Sequence, residues 1–220
     1  MIELFQVVQH LPDHLQQWAQ NYGTGFYAIV ATIIFAETGL VVTPLLPGDS
    51  LLFAVGAVLS LNLPGLEIGF MIPVLIVSAL CGDTLNYHVG RWTAPRLFRS
   101  DQARWLNRKH LDRTKEFFAK HGGKTVILAR FLPIVRTYAP FVSGLSAMPY
   151  SQFFLFSLLG GTLWISLFVG VGYYFGNLPV VRSNFHYAIL GIVLVSFAPV
   201  VIELIKSRAR TASADSSSHS

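Results

Sequence analysis

The sequence predicts an all-α integral membrane protein, in which an inverted repeat of re-entrant hairpin plus transmembrane helix is followed by an extra C-terminal transmembrane helix. Composition is the first reason: 53% of the 220 residues are hydrophobic and 12% are charged, whereas a soluble domain carries about 25% charged residues. The second is the one-sided distribution of basic residues, and the third is a set of apolar stretches interrupted by proline. A soluble enzyme is excluded, and the single Cys81 excludes a disulfide framework and a CxxC metal site.

The basic residues set the orientation of the chain in the membrane. Residues 1–90 contain no Lys or Arg, while ten basic and three acidic residues lie between Arg91 and Lys124, a net charge of +7. Cytoplasmic loops are rich in Lys and Arg, so we expect a cytoplasmic loop at 91–124 and a disordered cytoplasmic tail at 206–220. Anionic lipid headgroups at the membrane surface are sufficient partners for this positive charge, so we expect no nucleic acid partner.

Three stretches qualify as transmembrane helices. Residues 151–176 contain no charge and residues 186–205 contain only Glu203. Residues 66–90 form a third span that ends at the basic loop, since about 20 apolar residues cross the hydrocarbon core. Residues 1–22 place apolar side chains at three- and four-residue steps, which predicts an amphipathic helix in the interface. Packing of this helix against the rest of the protein explains the pattern equally well, and the charge rule does not give its side.

The remaining apolar segments are predicted to be re-entrant hairpins. With the C-terminus inside, residues 125–149 start and finish at the cytoplasmic face, and Pro133 and Pro140 are expected to break the helix there. Residues 26–63 are interrupted by TPLLPGDS and open to the other face. One membrane domain, 23–205, therefore contains two halves of opposite orientation, the arrangement of many secondary transporters.

Five charged residues lie within these apolar segments: Glu37, Asp49, Asp83, Arg130 and Arg136. Left unpaired, they would cost roughly 15 kcal/mol at about 3 kcal/mol each, so they must face one another or water. A purely structural clasp would pair Glu37 and Asp49 with the two arginines. The functional interpretation is favoured because ionisable residues within a membrane usually mark transport pathways.

The residue types suggest roles. Arg130 and Arg136 flank Pro133 and form a fork suited to a phosphate or another oxyanion. Glu37 and Asp49 are placed to couple substrate binding to protons or cations. Asp83 is a third candidate, although it could instead cap backbone amides or pair with Arg91.

No metal-ligand spacing and no pairing of nucleophile with base accompanies these charges, so neither an enzyme nor a cofactor is expected. Among the seven histidines, only His88 merits a test.

The motifs FAETGLVVTPLLPGDSLLF, GDTLNYHVGR, HGGKTVILARFLPIVRTYAPFVSG and GYYFG resemble those of the DedA family of bacterial inner-membrane proteins, which is related to eukaryotic lipid scramblases. The resemblance implies a multi-pass bacterial inner-membrane protein with two facing hairpins. It also implies a flippase for an anionic lipid, with undecaprenyl phosphate recycling as the substrate class, driven by a proton or cation gradient. The family's essential acids match Glu37 and Asp49, and its essential arginines match Arg130 and Arg136.

Two other functions use the same charges: a proton-coupled transporter of a small ion or osmolyte, and a non-transporting scaffold for envelope assembly. The sequence leaves open the lipid, the coupling ion, the direction of transport, the role among paralogues and whether a homo-oligomer forms.

Overall fold

The computed structural model describes residues 11–40, 48–99, 123–131, 133–176 and 178–179. Within these ranges every regular element is an α-helix. In chain order the helices are α1 Leu11–Tyr22, α2 Gly25–Gly39, α3 Gly48–Leu59, α4 Ile68–Arg99, α5 Gly123–Ala129, α6 Pro133–Leu145 and α7 Tyr150–Phe175.

Two of these helices are long and apolar enough to cross a bilayer. They cover Ile68–Ala94 (27 residues) and Tyr150–Phe175 (26 residues), and an 18-residue window within each has a mean hydropathy of 1.9 and 2.0 respectively. A helix rises about 1.5 Å per residue and the hydrocarbon core is about 30 Å thick, so both helices are long enough to cross it. The predicted class, an all-α membrane protein, is confirmed.

Four shorter helices form two consecutive pairs. Helices α2 and α3 contain 15 and 12 residues, and α5 and α6 contain 7 and 13. At about 1.5 Å per residue each is shorter than the hydrocarbon core. The pairs begin one and two residues before the segments 26–63 and 125–149 that were predicted to be hairpins and otherwise lie within them, one pair on each side of α4.

Each short pair packs across the two spanning helices, and glycines allow the close approach. Helix α2 lies on α4 and α3 on α7, while α6 lies on α4 and α5 on α7. A Cβ atom at Gly56 would meet the carbonyl of Val169, and one at Gly144 would meet the carbonyl of Tyr87. Small residues are the usual means of bringing membrane helices together, because they let backbones touch.

The apolar core lies where α1, α2 and α3 meet the two spanning helices. Among the described residues, Trp164 is the largest fully buried side chain. Leu15 and Ala19 of α1 are 0% and 3% exposed and belong to this core, so the described part of the N-terminal segment packs against the membrane domain. Residues 1–10 lie outside the described ranges.

Two features of the chain differ from the expectations. Pro140 does not end a helix, because α6 continues through it to Leu145. Its missing N–H leaves the carbonyl of Arg136 without the usual helical donor. In addition, α4 extends to Arg99, nine residues into the predicted loop. The rest of that loop up to residue 122, the predicted span 186–205 and the tail 206–220 lie outside the described residues.

Candidate functional site

The helix breaks bring four of the five predicted charges to helix ends. Asp49 is in the first turn of α3 and Arg130 directly follows α5, positions that the helix dipole favours for an acid and a base respectively. Glu37 lies in the last turn of α2 and Arg136 is the fourth residue of α6, where the dipole disfavours each charge. These two charges therefore depend on partners from outside their own helices.

Arg136 binds both of the acids from the first half of the chain. Its Nη2 donates to Glu37 Oε1 at 2.5 Å and its Nη1 donates to Asp49 Oδ1 at 2.6 Å. The same Asp49 oxygen accepts the indole Nε1–H of Trp164 at 2.8 Å. The Arg136 guanidinium carbon lies 4.5 Å from the centre of the Trp164 ring, within the range of a cation–π contact. We call Glu37, Asp49, Arg136 and Trp164 the Arg136 group.

Arg130 has a different set of partners, here called the Arg130 group: Asp83 of α4 and Ser157 of α7. Arg130 Nη2 forms an ion pair with Asp83 Oδ2 and donates to Ser157 Oγ at 2.9 Å. Ser157 Oγ in turn donates to Asp83 Oδ2. Gly160 leaves room for the arginine, since a Cβ there would lie 3.2 Å from Arg130 Cγ.

The two groups are buried and adjoin each other at Trp164. The five charged residues are exposed by at most 9%. Arg130 lies on the same indole ring as Arg136, with its guanidinium carbon 6.0 Å from the ring centre. Among the described residues, two charged atoms of the cluster have no hydrogen-bond partner, Glu37 Oε2 and Arg130 Nη1, so one acceptor and one donor are unsatisfied.

The observed ion pairs differ from the structural clasp considered in the sequence analysis, in which Glu37 and Asp49 pair with the two arginines. One arginine, Arg136, takes both Glu37 and Asp49, and Arg130 pairs with Asp83 instead. The expectation that Asp83 could pair with Arg91 is wrong: Arg91 Nη1 donates to the hydroxyl of Tyr87 at 3.2 Å. Asp83 is 3% exposed and faces the cluster, because α6 packs along the same side of α4 and brings the turn containing Arg130 towards it.

His88 lies outside the cluster. Its Nδ1 is 2.7 Å from the carbonyl oxygen of Thr84, in an exposed position.

Sequence reasoning missed three polar residues that hold the cluster: Trp164, Ser157 and Asn86. The amide of Asn86 donates to the carbonyl of Thr38 at 3.3 Å and to that of Thr137 at 2.9 Å, which ties α2 and α6 to α4. The sequence contains a pattern that indicates two of them, Ser157 and Trp164. Ser157 and Trp164 are seven residues apart and therefore share one face of α7, the face that also carries the glycines next to Arg130.

The chemistry available is recognition of an oxyanion together with exchange of a cation. Three carboxylates oppose two guanidiniums in the cluster, which leaves one negative charge in excess when all five are ionised. No group of three or more His, Cys, Asp or Glu side chains in the described ranges is arranged to hold a metal ion. A proton or a monovalent cation is the simplest compensation for the excess charge.

Comparison with known proteins gives a consistent result. A VTT domain matches residues 46–174, a range that includes every charge of the cluster except Glu37. The Protein DedA of Escherichia coli K12 is 45% identical over 211 residues, covering 96% of each chain. An uncharacterized membrane protein of Mycobacterium leprae is 41% identical over 199 residues, covering 87% of this chain and 88% of its own.

The Inner membrane protein YqjA of Escherichia coli K12 is 31% identical over 171 residues, which cover 74% of this chain and 77% of that protein. No solved structure matches significantly. The family expected from the sequence motifs is therefore confirmed: the chain belongs to the DedA family of VTT-domain proteins and is a bacterial inner-membrane protein.

Proposed function

We propose that this protein is a transporter that moves an anionic lipid across the inner membrane, chemically unchanged, in a process coupled to protons or cations. A polyprenyl phosphate is the substrate class that fits best, with undecaprenyl phosphate recycling as the physiological role. The observation that carries the proposal is the buried cluster in which two arginines and three acids meet at the breaks between short helices. Such charges are costly in a membrane and are rarely retained for packing alone.

Phosphate recognition is assigned to the two arginines. Arg130 Nη1 has no partner in the cluster, so it can donate to a phosphate oxygen while Nη2 keeps its bonds to Asp83 and Ser157. Arg136 has both terminal nitrogens on carboxylates, so a phosphate must displace Glu37 or Asp49 to bind there. Paired guanidinium donors suit phosphate oxygens, and their charge is permanent.

Coupling follows from that displacement. A carboxylate released from Arg136 in a water-poor site is an uncompensated buried charge, which costs several kcal/mol. Uptake of one proton or one cation removes that cost. Binding of phosphate and binding of the coupling ion therefore strengthen each other reciprocally. We assign this role first to Glu37, whose Oε2 already has no partner, then to Asp49, and last to Asp83.

The alternating movement is assigned to two hairpins that enter the membrane from opposite faces. This inverted repeat is supported by the two pairs of helices too short to span, and by their crossed packing, with α3 on α7 and α6 on α4. Arg136 joins the two hairpins through α2, α3 and α6, so exchange of its partners changes the contact between the halves. Broken helices that meet near the bilayer centre provide such binding sites in other transporters. With the basic loop inside, the C-terminus is cytoplasmic.

The proposal is tested by reconstitution into liposomes with a phosphate-labelled polyprenyl lipid. Transbilayer movement by the wild type is compared with that by Arg136→Ala and Glu37→Gln, each with and without an imposed pH gradient. Glu67→Gln removes an acid that is exposed at the start of α4 and is the matched control for Glu37→Gln.

We expect movement that depends on the gradient in the wild type and in Glu67→Gln, and none in the other two variants. Lipid movement at the same rate with and without the gradient would mean that the protein is a scramblase. Absence of lipid movement together with flux of a small ion would replace the proposal by the small-ion transporter, and absence of both would favour the scaffold.

A further inference from the structure

We propose that a groove on the outer surface of α4 and α7 is a binding site for an anionic lipid, with its hydrocarbon chain in the groove and its headgroup at the groove's polar end. The inference rests on the proposed lipid transport and adds a site separate from the buried charges. The groove has a volume of about 720 Å³ and apolar walls that include Val77, Leu80 and Leu85 of α4 and Phe154 of α7. Pockets for small molecules measure about 300–1,000 Å³, so it would accept a section of a lipid chain.

The groove faces the bilayer rather than the charged cluster. Its α4 residues recur at three- and four-residue steps and form one stripe of the helix. Asp83 points about 130° away from that stripe, at about 100° per residue. Val77 and Leu85 are 60% and 43% exposed on a helix that crosses the membrane, so the groove is reached from within the bilayer.

Apolar surface alone does not select an occupant inside a bilayer, because lipid tails are as apolar as the groove. Selection must come from the polar end. There the Thr84 hydroxyl lies 3.1 Å from the Tyr150 hydroxyl, and the His88 ring centre lies 5.3 Å from that of Tyr150. Arg91 follows one turn later on α4 and is exposed. The hydroxyl and guanidinium groups, and the imidazole in its protonated form, can donate hydrogen bonds to an anionic headgroup.

Charge complementarity supports the same occupant. The segment from Arg91 to Lys124, which begins at this end of the groove, has a net charge of +7 and attracts anionic lipid. An apolar helix from a partner protein would use the groove walls but none of these donors. We therefore commit to a lipid with a negatively charged headgroup.

The groove also shares its two helices, α4 and α7, with the Arg130 group. Asp83 is the neighbour of Thr84 on α4, and Ser157 is three residues beyond Phe154 on α7. A lipid held in the groove thus lies against the two helices that provide the partners of Arg130. The groove is suited to receive a lipid before or after its transfer through the buried site.

The single cysteine of the chain provides the test, because Cys81 lines the groove and is exposed. The rate at which a membrane-permeant maleimide labels Cys81 is measured on purified full-length protein with increasing polyprenyl phosphate. The same titration is done with the corresponding polyprenol and with inorganic phosphate. At a lipid concentration of about ten times the dissociation constant, exclusive binding slows labelling about tenfold.

We expect this protection with polyprenyl phosphate, much weaker protection with polyprenol and none with inorganic phosphate. The double variant Tyr150→Phe with His88→Gln should lose the preference for the phosphate over the alcohol. In Cys81→Ser with Leu163→Cys, the label reports an exposed position of α7 outside the groove, and its labelling should not respond to lipid.

Three results would overturn the inference. Equal protection by polyprenol and its phosphate would mean that no headgroup is recognised. Protection that needs no added lipid and grows with protein concentration would assign the groove to a second copy of the chain. Transport by the wild type with no protection of Cys81 would remove the groove but leave the proposed function intact, whereas protection in a protein that transports nothing would retain the groove and remove the function.

Discussion

The two buried arginines lie six residues apart on either side of one helix break, yet they are held in different ways. Arg136 is bound by two carboxylates, and both come from the opposite half of the chain, from α2 and α3. Arg130 is bound by one carboxylate and one hydroxyl, and both come from the spanning helices α4 and α7. The Arg136 group therefore joins one short helix pair to the other, while the Arg130 group fastens one pair to the transmembrane frame.

This difference suggests a division of labour in the proposed transport. The Arg136 contacts must open for a phosphate to bind, and they lie between the parts that would move. The Arg130 contacts can persist, because a free donor is already present on Nη1. Removal of a contact from the Arg136 group should therefore harm transport more than removal of a contact from the Arg130 group.

The largest effect is expected from Arg136→Ala. It leaves Glu37 and Asp49 as two buried carboxylates without their arginine, which should lower the free energy of unfolding by about 3–5 kcal/mol and abolish transport. Thermal unfolding in detergent and lipid flux in liposomes measure the two effects. The triple variant Glu37→Gln, Asp49→Asn, Arg136→Leu removes the charges together, so it should recover stability without recovering transport. Recovery of both would mean that the group only supports packing.

Gly48→Ala should come next and tests whether the position of the Glu37 carboxylate matters. A Cβ at Gly48 would overlap the carboxylate of Glu37, which must then move away from Arg136. We expect a loss of about 1–3 kcal/mol in stability and strongly reduced transport. The matched control is Gly170→Ala on α7, where a Cβ would meet nothing within 4 Å and the change should stay within about 0.5 kcal/mol. Unchanged transport in Gly48→Ala would show that the Glu37 contact is dispensable.

Trp164→Phe separates the two contacts of the indole in the Arg136 group. Phenylalanine keeps an aromatic face for Arg136 but loses the Nε1–H that donates to Asp49 at 2.8 Å. A hydrogen bond to a charged group contributes about 1.5–3 kcal/mol, so a decrease in stability of that size is expected, with a partial loss of transport. Trp164→Leu removes the cation–π contact as well and should be worse than Trp164→Phe. Equal effects of the two substitutions would exclude a contribution from the ring face.

Ser157→Ala should have the smallest effect on transport. It removes a hydroxyl from the Arg130 group but leaves the ion pair between Arg130 and Asp83. Both bonds of the hydroxyl go to charged groups, so we expect a decrease in stability of about 1.5–3 kcal/mol but transport close to that of the wild type. If transport fell as far as in Arg136→Ala, the distinction between a fixed and an exchanging group would be wrong.

Much of the site could be predicted because charges are conspicuous in apolar segments. All five ionisable residues were identified from the sequence, since each interrupts a stretch that must avoid water. Which acid pairs with which arginine could not be predicted, because the pairing depends on which helices cross. Asp83 looked peripheral along the chain, and its contact with Arg130 arises only from the packing of α6 and α5 around α4 and α7.

Residues without charge were harder to recognise. Trp164 and Ser157 are ordinary residues for an apolar helix, and only their spacing of seven marks a common face. The effect of the prolines on the helices could also be predicted only in part. Pro133 marked a true helix start, whereas Pro140 was tolerated inside α6, since neighbouring groups can satisfy a carbonyl that proline leaves free in a membrane helix.

The central claim is that phosphate displaces a carboxylate from Arg136 and that a coupling ion then neutralises this carboxylate. Where the ion is a proton, counting protons tests the claim most directly. Polyprenyl phosphate is added to purified protein in a weakly buffered solution, and the protons taken up per lipid bound are compared between the wild type and Glu37→Gln. Subtracting the value of the variant from that of the wild type removes any protons that the lipid itself takes up or releases. The account predicts that the wild type takes up about one proton more per lipid than the variant. Identical uptake by the two proteins, at equal lipid binding, would contradict it.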